Sequence, residues 1–143
     1  MNNKKEFNQI RTGVIGVGSM GQNHARIYND ISNLIAVSDP NEKQGREVAQ
    51  RFGVDWYGDY REMLDKIDAV SIAVPTTLHK VVAKDVSKAG VNLLVEKPLA
   101  GNSEDAKDII SFAESNNVVL AVGATYMCYL FTIFFCFSGV IIF

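Results

Sequence analysis

Residues 12–21 read Thr-Gly-Val-Ile-Gly-Val-Gly-Ser-Met-Gly, and this stretch decides the fold. It begins as a short apolar strand and runs into the pattern G-x-G-x-x-G, which lets a backbone lie against the pyrophosphate of a dinucleotide. Gly16 permits the tight turn, Gly18 lets the main chain approach the phosphates, and Gly21 lets the next helix pack close to the strand. Unpaired N–H groups and the helix dipole favour an anion at that helix N-terminus. The candidate cofactor-binding residues of the turn are Gly16, Gly18, Ser19, Met20 and Gly21.

Glycine-rich turns are common, so the surrounding pattern decides what this one means. Residues 11–122 alternate apolar runs with amphipathic segments. The runs, rich in Val and Ile, predict parallel strands covered on both faces at Arg11–Val17, Leu34–Ser38, Val54–Tyr57, Ala69–Ala73, Asn92–Val95 and Val118–Val122. Helices are predicted at Met20–Ile31, Glu42–Arg51, Tyr60–Asp65, Thr77–Lys88 and Ser103–Ser115. Ser103 is a plausible N-cap of the last helix, and Gly53 and Gly90 follow two helix ends, where a left-handed C-cap is expected. This alternation predicts a doubly wound α/β sheet of the Rossmann type with right-handed crossovers.

Composition narrows the function classes. The chain has 143 residues, about one domain, and a net charge of −2, which argues against a nucleic-acid partner held by bulk electrostatics. Residues 1–9 are polar, so residues 1–10 are predicted as a flexible lead-in rather than a secretory signal, and the expected compartment is the cytoplasm. Cys128 and Cys136 have neither a C-x-x-C partner nor a nearby histidine, so we expect no metal site.

Asp39 ends the second predicted strand, 23 residues after Gly16. An acid there can accept hydrogen bonds from the adenosine ribose and repels a 2′-phosphate, which favours NAD over NADP. The segment Asp39-Pro40-Asn41 is also a plausible turn that opens the next helix, and both interpretations can hold together. Lys43 and Arg46 lie close enough in sequence to leave NADP binding open.

The fourth predicted strand is followed by Val74-Pro-Thr-Thr-Leu-His79. Ligands of an open α/β sheet bind outside the carboxyl ends of its strands, so this segment is a candidate for cofactor contact. Thr76 and Thr77 are also candidate helix caps, and His24, on the first helix, is interpreted as a packing residue. The candidate cofactor-binding residues here are Ala73, Val74, Pro75, Thr76 and His79.

Glu96-Lys97-Pro98 follows the fifth predicted strand. A lysine at a strand's carboxyl end suits a group that exchanges a proton with a substrate hydroxyl or carbonyl, so Lys97 is the candidate catalytic residue. Glu96 would orient Lys97 through an ion pair, and both residues are candidate cofactor contacts. A solvated pair of strand-end charges is the alternative.

The motifs together resemble the Gfo/Idh/MocA family, the glucose–fructose oxidoreductase and myo-inositol dehydrogenase type. The resemblance covers residues 11–122 and is carried by Gly16-x-Gly18-x-x-Gly21-x-x-His24, Ser38-Asp39-Pro40, Pro75-Thr-Thr-Leu-His79 and Glu96-Lys97-Pro98-Leu99. It implies NAD(P)-dependent oxidation of a sugar, polyol or related hydroxyl by hydride transfer, with Lys97 in the proton-transfer position. It also implies that the Lys97–Pro98 peptide bond is cis.

The chain departs from the family pattern near Gly123. Family members continue into a mostly antiparallel second domain that completes the substrate pocket, whereas here 29 residues without a charge follow Glu114. We expect residues 123–143 to be an atypical apolar tail from a frameshift or truncation, with a membrane anchor and a buried element as alternatives. The chain alone is then expected to be inactive. The alternative functions are a non-catalytic dinucleotide-binding module and a membrane-tethered nucleotide-binding protein.

Overall fold

The computed structural model describes residues 9–123 and 140–142. The strands in this part of the chain are β1 Arg11–Ile15, β2 Asn33–Ser38, β3 Asp55–Tyr57, β4 Ala69–Ile72, β5 Asn92–Val95, β6 Leu120–Val122 and β7 Val140–Ile142. They all belong to one parallel sheet in the order β3-β2-β1-β4-β5-β6-β7. The crossover from β3 back to β4, on the far side of β1, makes the sheet doubly wound, as predicted.

In the described residues, four α-helices and one 3₁₀ helix lie between β1 and β6. The predicted helix Tyr60–Asp65 is the exception in type, because Tyr60–Lys66 winds as a 3₁₀ helix. The other helices differ from their predicted bounds by one residue at most. They are α1 Ser19–Ile31, α2 Glu42–Phe52, α3 Thr76–Lys88 and α4 Ser103–Ser115.

Helix ends show where local sequence signals succeed and fail. Gly53 and Gly90 have φ of 68° and 75°, the left-handed conformation that glycine adopts at low cost beyond a helix C-terminus. Ser103 was the predicted N-cap of α4, but the cap is Asn102, whose Oδ1 accepts a hydrogen bond from Asp105 N at 2.8 Å. The prediction that Thr76 or Thr77 caps α3 is also wrong, since α3 follows Pro75 without a side-chain cap.

The sheet is covered on both faces, which explains its continuous apolar strands. On one face Val14 and Val37 pack with Ala25 of α1 and Val48 of α2. The opposite face packs against α3, α4 and the 3₁₀ helix, and its buried residues include Ile15, Ile72, Val95, Val82 and Ile109. Each such side chain contributes about 1.5–3 kcal/mol through burial. Since the strands are parallel, their carboxyl ends all lie along one edge, which we call the ligand edge.

The predicted lead-in and tail lie largely outside the described residues. Residues 1–8, 124–139 and 143 are in that group, so the alternatives for the tail stay open there. The three residues of β7 pair in parallel with β6, with Val140 opposite Leu120 and Ile142 opposite Val122. Within the described ranges, no helix is both long enough and apolar enough to cross a membrane.

Candidate functional site

The glycine turn leaves β1 at the ligand edge. Gly16 has a φ of +85°, and its N–H donates to Ser38 O at 2.8 Å, which joins the turn to the end of β2. A Cβ on Gly21 would overlap the Gly16 carbonyl oxygen, so only glycine lets α1 start this close to β1. A Cβ on Gly18 would meet nothing within 4 Å. The space in front of Gly18 is therefore open, as a bound pyrophosphate requires.

The N-terminus of α1 is suited to an anion. Its N-cap, Gly18, has no side chain to accept from the first N–H groups, and no acid lies in the first turn. Ser19 and Met20 are exposed at this point. Backbone donors without an intrahelical partner are therefore available at the positive end of the helix dipole. The residues present thus fit the pyrophosphate of a dinucleotide.

Two glutamines that the sequence analysis missed hold the turn from behind. Gln22 Nε2 donates to Val17 O at 3.1 Å, and Gln44 Nε2 donates to the same oxygen at 2.6 Å. They come from α1 and α2, so both helices on this face fix one carbonyl group. Their spacing carries no motif, and no signal in a single sequence identifies them.

Asp39 lies beside the turn at the end of β2. Its Oδ2 accepts from Val17 N and its Oδ1 accepts from Asn41 N, both at 2.9 Å. Asn41 Oδ1 in turn caps α2 by accepting from Gln44 N at 3.2 Å. The turn interpretation of Asp39 is thus confirmed. The ribose interpretation remains a prediction, and it is compatible because each carboxylate oxygen has a second lone pair.

Of the two basic residues that left NADP binding open, Arg46 is already engaged with neighbouring side chains. The Arg46 guanidinium carbon lies 4.4 Å from the centre of the Trp56 ring, and Arg46 Nε donates to Glu42 at 2.8 Å. Trp56 Nε1 donates to the main-chain O of Asp39 at 3.1 Å, so this stack lies beside the Asp39 backbone. Lys43 is exposed on α2.

The loop after β4 packs against the glycine turn. A Cβ on Gly16 would lie 2.8 Å from Ala73 O and 3.0 Å from Val74 Cγ1. Pro75 is exposed and Thr76 begins α3. The structure therefore brings this predicted cofactor segment beside the turn. Contact between these residues and the cofactor remains a prediction.

His79 is 1% exposed and links two loops of the ligand edge. Its Nε2 lies 2.9 Å from Val74 O, in the loop after β4. Its Nδ1 lies 3.1 Å from both Pro98 O and Leu99 O, in the loop after β5. These contacts all go to main-chain carbonyl oxygens. A direct cofactor contact of His79 stays a prediction, and its position gives it a part in shaping both loops.

Glu96 and Lys97 follow β5, and the Lys97–Pro98 peptide bond is cis, as the resemblance implied. Lys97 is exposed at the ligand edge. The predicted ion pair between the two residues is wrong. Glu96 Oε1 instead lies 2.6 Å from His24 Nε2, and Glu96 Oε2 accepts from the backbone N–H of Lys97 at 3.2 Å.

A series of polar contacts extends from Glu96 into the space between α1 and β4. His24 Nδ1 lies 3.2 Å from Ser71 Oγ, and Ser71 Oγ donates to Tyr28 OH at 2.7 Å. Burial raises the pKa of Tyr28 above its usual value, which keeps the phenol neutral. The packing interpretation of His24 is incomplete, because the largely buried side chain lies against β4 but also has both ring nitrogens in polar contacts. The sequence signal for a role beyond packing was the position of His24 three residues after Gly21, in the glycine segment that carries the family resemblance.

The ligand edge thus gathers most of the predicted site. The turn at Gly16–Gly21, Asp39, the loop after β4 and Glu96-Lys97 meet there. Among the residues that the structure describes, no group of three His, Cys, Asp or Glu side chains could hold a metal ion. The arrangement offers backbone donors for an anion, an acid for a ribose and an exposed amine beyond them.

Comparison with known proteins settles the family. Residues 10–124 match the family model described as an oxidoreductase family with an NAD-binding Rossmann fold. The chain belongs to the Gfo/Idh/MocA oxidoreductase family. NAD is therefore the cofactor of this Rossmann domain, and the family consists of NAD-dependent oxidoreductases.

Two of its relatives are named as dehydrogenases of UDP-N-acetylglucosamine and of myo-inositol. The UDP-N-acetylglucosamine 3-dehydrogenase of Acidithiobacillus ferrooxidans is 41% identical over 80% of this chain and 36% of its own length, and its structure superposes with a TM-score of 0.78 over 38% of that chain. The myo-inositol 2-dehydrogenase of Thermotoga maritima is 33% identical over 80% of this chain and 36% of its own length. This Gfo/Idh/MocA chain spans about a third of the length of those relatives.

One solved relative was crystallised with its ligands. The WlbA dehydrogenase of Bordetella pertussis, in complex with NADH and UDP-GlcNAcA, is 28% identical over 80% of this chain and 37% of its own. Its TM-score of 0.75 shows the same Rossmann architecture.

Proposed function

We propose that this chain is the NAD-binding part of an oxidoreductase that oxidises a CH–OH group of a sugar or polyol. The observation that carries the proposal is the meeting of the open Gly18 turn, Asp39 and the exposed Lys97 at one sheet edge. A nucleotide-linked sugar belongs among the substrates, because a relative 41% identical acts on UDP-N-acetylglucosamine.

Each residue has a role that follows from its place. The turn N–H groups and the start of α1 bind the pyrophosphate, and Asp39 accepts hydrogen bonds from the ribose hydroxyls. The loop 73–76 lines the path between the turn and Lys97. Lys97 takes the proton of the substrate hydroxyl as the C–H bond breaks. When bound, NAD would accept the hydride from the carbon. The CH–OH group thereby loses one hydride and one proton and becomes a carbonyl group.

Cofactor titration tests the binding half of this proposal. Trp56 is the chain's one tryptophan, and its Nε1 contacts Asp39 O, so its fluorescence reports on the ribose end. We expect saturable quenching by NADH and weaker binding of NADPH, because the Asp39 carboxylate repels a 2′-phosphate. A chain that binds neither dinucleotide would overturn the proposal.

Turnover tests the chemical half. The chain is incubated with NAD and either myo-inositol or UDP-N-acetylglucosamine, and NADH formation is followed by absorbance. The expectation from the sequence is that this chain alone forms no NADH above background, and clear turnover by it would overturn that expectation. In that case Lys97→Met should abolish the turnover while leaving NADH affinity within about twofold, because the amine exchanges the proton and does not hold the pyrophosphate. Turnover by Lys97→Met as fast as that of the active chain would then contradict the role of Lys97.

A further inference from the structure

Glu96 and Lys97 are adjacent in sequence, yet their charged groups do not pair. One carboxylate oxygen of Glu96 lies 2.6 Å from His24 Nε2, and the other accepts from the Lys97 backbone N–H. Within the described ranges, no carboxylate lies within 4.0 Å of Lys97 Nζ. The lysine amine is therefore left for another partner at the ligand edge.

His24 is itself held by contacts at the ring nitrogen that does not face Glu96. Ser71, on β4, is fully buried, and its Oγ lies 3.2 Å from His24 Nδ1. The ring of Tyr28 lies tilted against the imidazole with centroids 6.4 Å apart, and Tyr28 OH accepts from Ser71. Both nitrogens are in contacts and the side chain is only 14% exposed, so the imidazole is held between Glu96 and Ser71.

The Glu96 carboxylate is also confined on its far side. A Cβ on Gly123 would come within 3.2 Å of Glu96 Oε1, so a larger residue there would press on the carboxylate. Gly123 is fixed through its N–H, which donates to Val95 O at 2.8 Å. Glu96 thus sits between α1 and the end of β6.

We propose that His24 is a positioning residue that holds the Glu96 carboxylate against α1 and keeps it off Lys97 Nζ. A carboxylate freed from His24 would be one residue away from the lysine ammonium. Opposite charges within about 4–6 Å stabilise each other's charged forms, so the amine would become less nucleophilic and less able to meet a ligand. The Glu96 carboxylate therefore contacts His24 rather than Lys97 Nζ. The identity of that ligand rests on the proposed function, whereas the arrangement is internal to this chain.

Site-resolved acylation of the full chain measures the Lys97 amine directly. The protein is treated with a succinimidyl ester, and modification of each lysine is followed by peptide mass spectrometry. Lys107, exposed on α4 with no ion pair among the described residues, serves as the internal reference. Neither cofactor nor substrate is needed, so the result does not depend on turnover.

Two substitutions separate the Glu96 contact from the Ser71 contact. His24→Asn places an amide near Ser71 but is too short to reach Glu96, whereas His24→Gln places an N–H donor near the position of Nε2. We expect His24→Asn to slow acylation of Lys97 relative to Lys107 by roughly threefold to tenfold. In His24→Gln, the acylation rate of Lys97 relative to Lys107 is expected to stay within about twofold of that in the unsubstituted chain.

The double variant His24→Asn, Glu96→Gln decides the cause. Removing the carboxylate charge is expected to restore the acylation rate of Lys97 relative to Lys107, because the Glu96 side chain then has no charge to pair with the ammonium. A slow rate that persists in the double variant would mean that His24 only supports the local packing, and the proposal would fail. An unchanged Lys97 rate in His24→Asn would overturn it as well.

Two controls keep this result separate from the proposed function. Thermal unfolding of each variant establishes that acylation is measured on folded protein. Should His24→Asn be too unstable, His24→Leu, which keeps the bulk of the side chain but has no group to hold Glu96, is expected to slow acylation of Lys97 in the same way, and an unchanged rate in it would overturn the proposal. NADH titration of the same samples tests the proposed function. Loss of NADH binding with the acylation pattern intact would overturn only the proposed function, and the reverse would overturn only the role of His24.

Discussion

Asp39 Oδ2 and the backbone N–H of Val17 are 2.9 Å apart, so the acid at the end of β2 supports the glycine turn at the end of β1. The same carboxylate also fixes the start of α2 through Asn41 N. One side chain therefore joins the phosphate-binding turn, the second strand and the second helix. Removing its charge should affect cofactor selectivity and turn geometry together.

Asp39→Asn is predicted to shift the cofactor preference towards NADPH. The amide keeps an acceptor oxygen for a backbone N–H but no longer repels a 2′-phosphate, so the ratio of NADPH to NADH affinity should rise about tenfold. Titrations of Trp56 fluorescence with both dinucleotides measure this ratio. Asp55→Asn, an equal charge change at the exposed start of β3, is the matched control and should leave the ratio unchanged. An unchanged ratio in Asp39→Asn would count against the ribose role.

Gly18→Ala and Gly21→Ala are predicted to act by different routes. Gly18 has a φ of −64° and an open surrounding, so alanine should change the unfolding free energy by less than about 0.5 kcal/mol while weakening NADH binding through the methyl group. Gly21→Ala forces a methyl group into the Gly16 carbonyl and should cost about 2–4 kcal/mol. Chemical denaturation and NADH titration separate the two effects.

The opposite outcome for Gly18 would be informative. If Gly18→Ala binds NADH as tightly as the unmodified chain, the pyrophosphate does not lie in front of Gly18. Gly101→Ala, where a Cβ likewise meets nothing within 4 Å, controls for the general effect of alanine in a loop.

The sequence predicts the doubly wound sheet because its signals are local: the spacing of apolar residues and the residues that end helices and strands. Apolar strands and glycine C-caps need only a few neighbouring residues, and the structure bears out those at Gly53 and Gly90. The site is predicted less completely, because its contacts cross long stretches of chain. His24 meets Glu96 from 72 residues away, and Gln44 meets Val17 from 27 residues away. Pairing of Glu96 with Lys97 was inferred from adjacency, and adjacency cannot reveal a stronger partner on another element.

Tyr60 is predicted to make stability pH-dependent in strong alkali. Burial, together with its hydrogen bond of 2.8 Å to Asp85, raises the pKa of Tyr60 from 10.0 to about 12. A pKa raised on folding contributes stability that is fully present below pH 10 and is lost as pH rises through about 12. Tyr60→Phe should therefore lose less stability over that window, as measured by denaturation at each pH.

Tyrosinate absorbance after a rapid pH jump tests the cause of this shift. The tyrosine ionisation that occurs at the highest pH should be absent in Tyr60→Phe. It should move to lower pH in Asp85→Asn, which keeps a hydrogen-bond acceptor but removes the charge. If this high-pH ionisation remains in Tyr60→Phe, it belongs to another residue. Tyr28, whose pKa is also raised by burial, is the first alternative.

Ser87 and Ser71 are both fully buried serines, but they are predicted to respond oppositely to alanine. Within the described part of the chain, Ser87 Oγ has no hydrogen-bond partner, so Ser87→Ala should raise the unfolding free energy by up to about 1 kcal/mol. Ser71 Oγ contacts His24 and Tyr28, and Ser71→Ala should lower that free energy by about 1–2 kcal/mol, because two partly buried groups lose their partner. Chemical denaturation of the two variants side by side measures the difference. Destabilisation by Ser87→Ala as large as that by Ser71→Ala would show that the Ser87 hydroxyl is satisfied in solution.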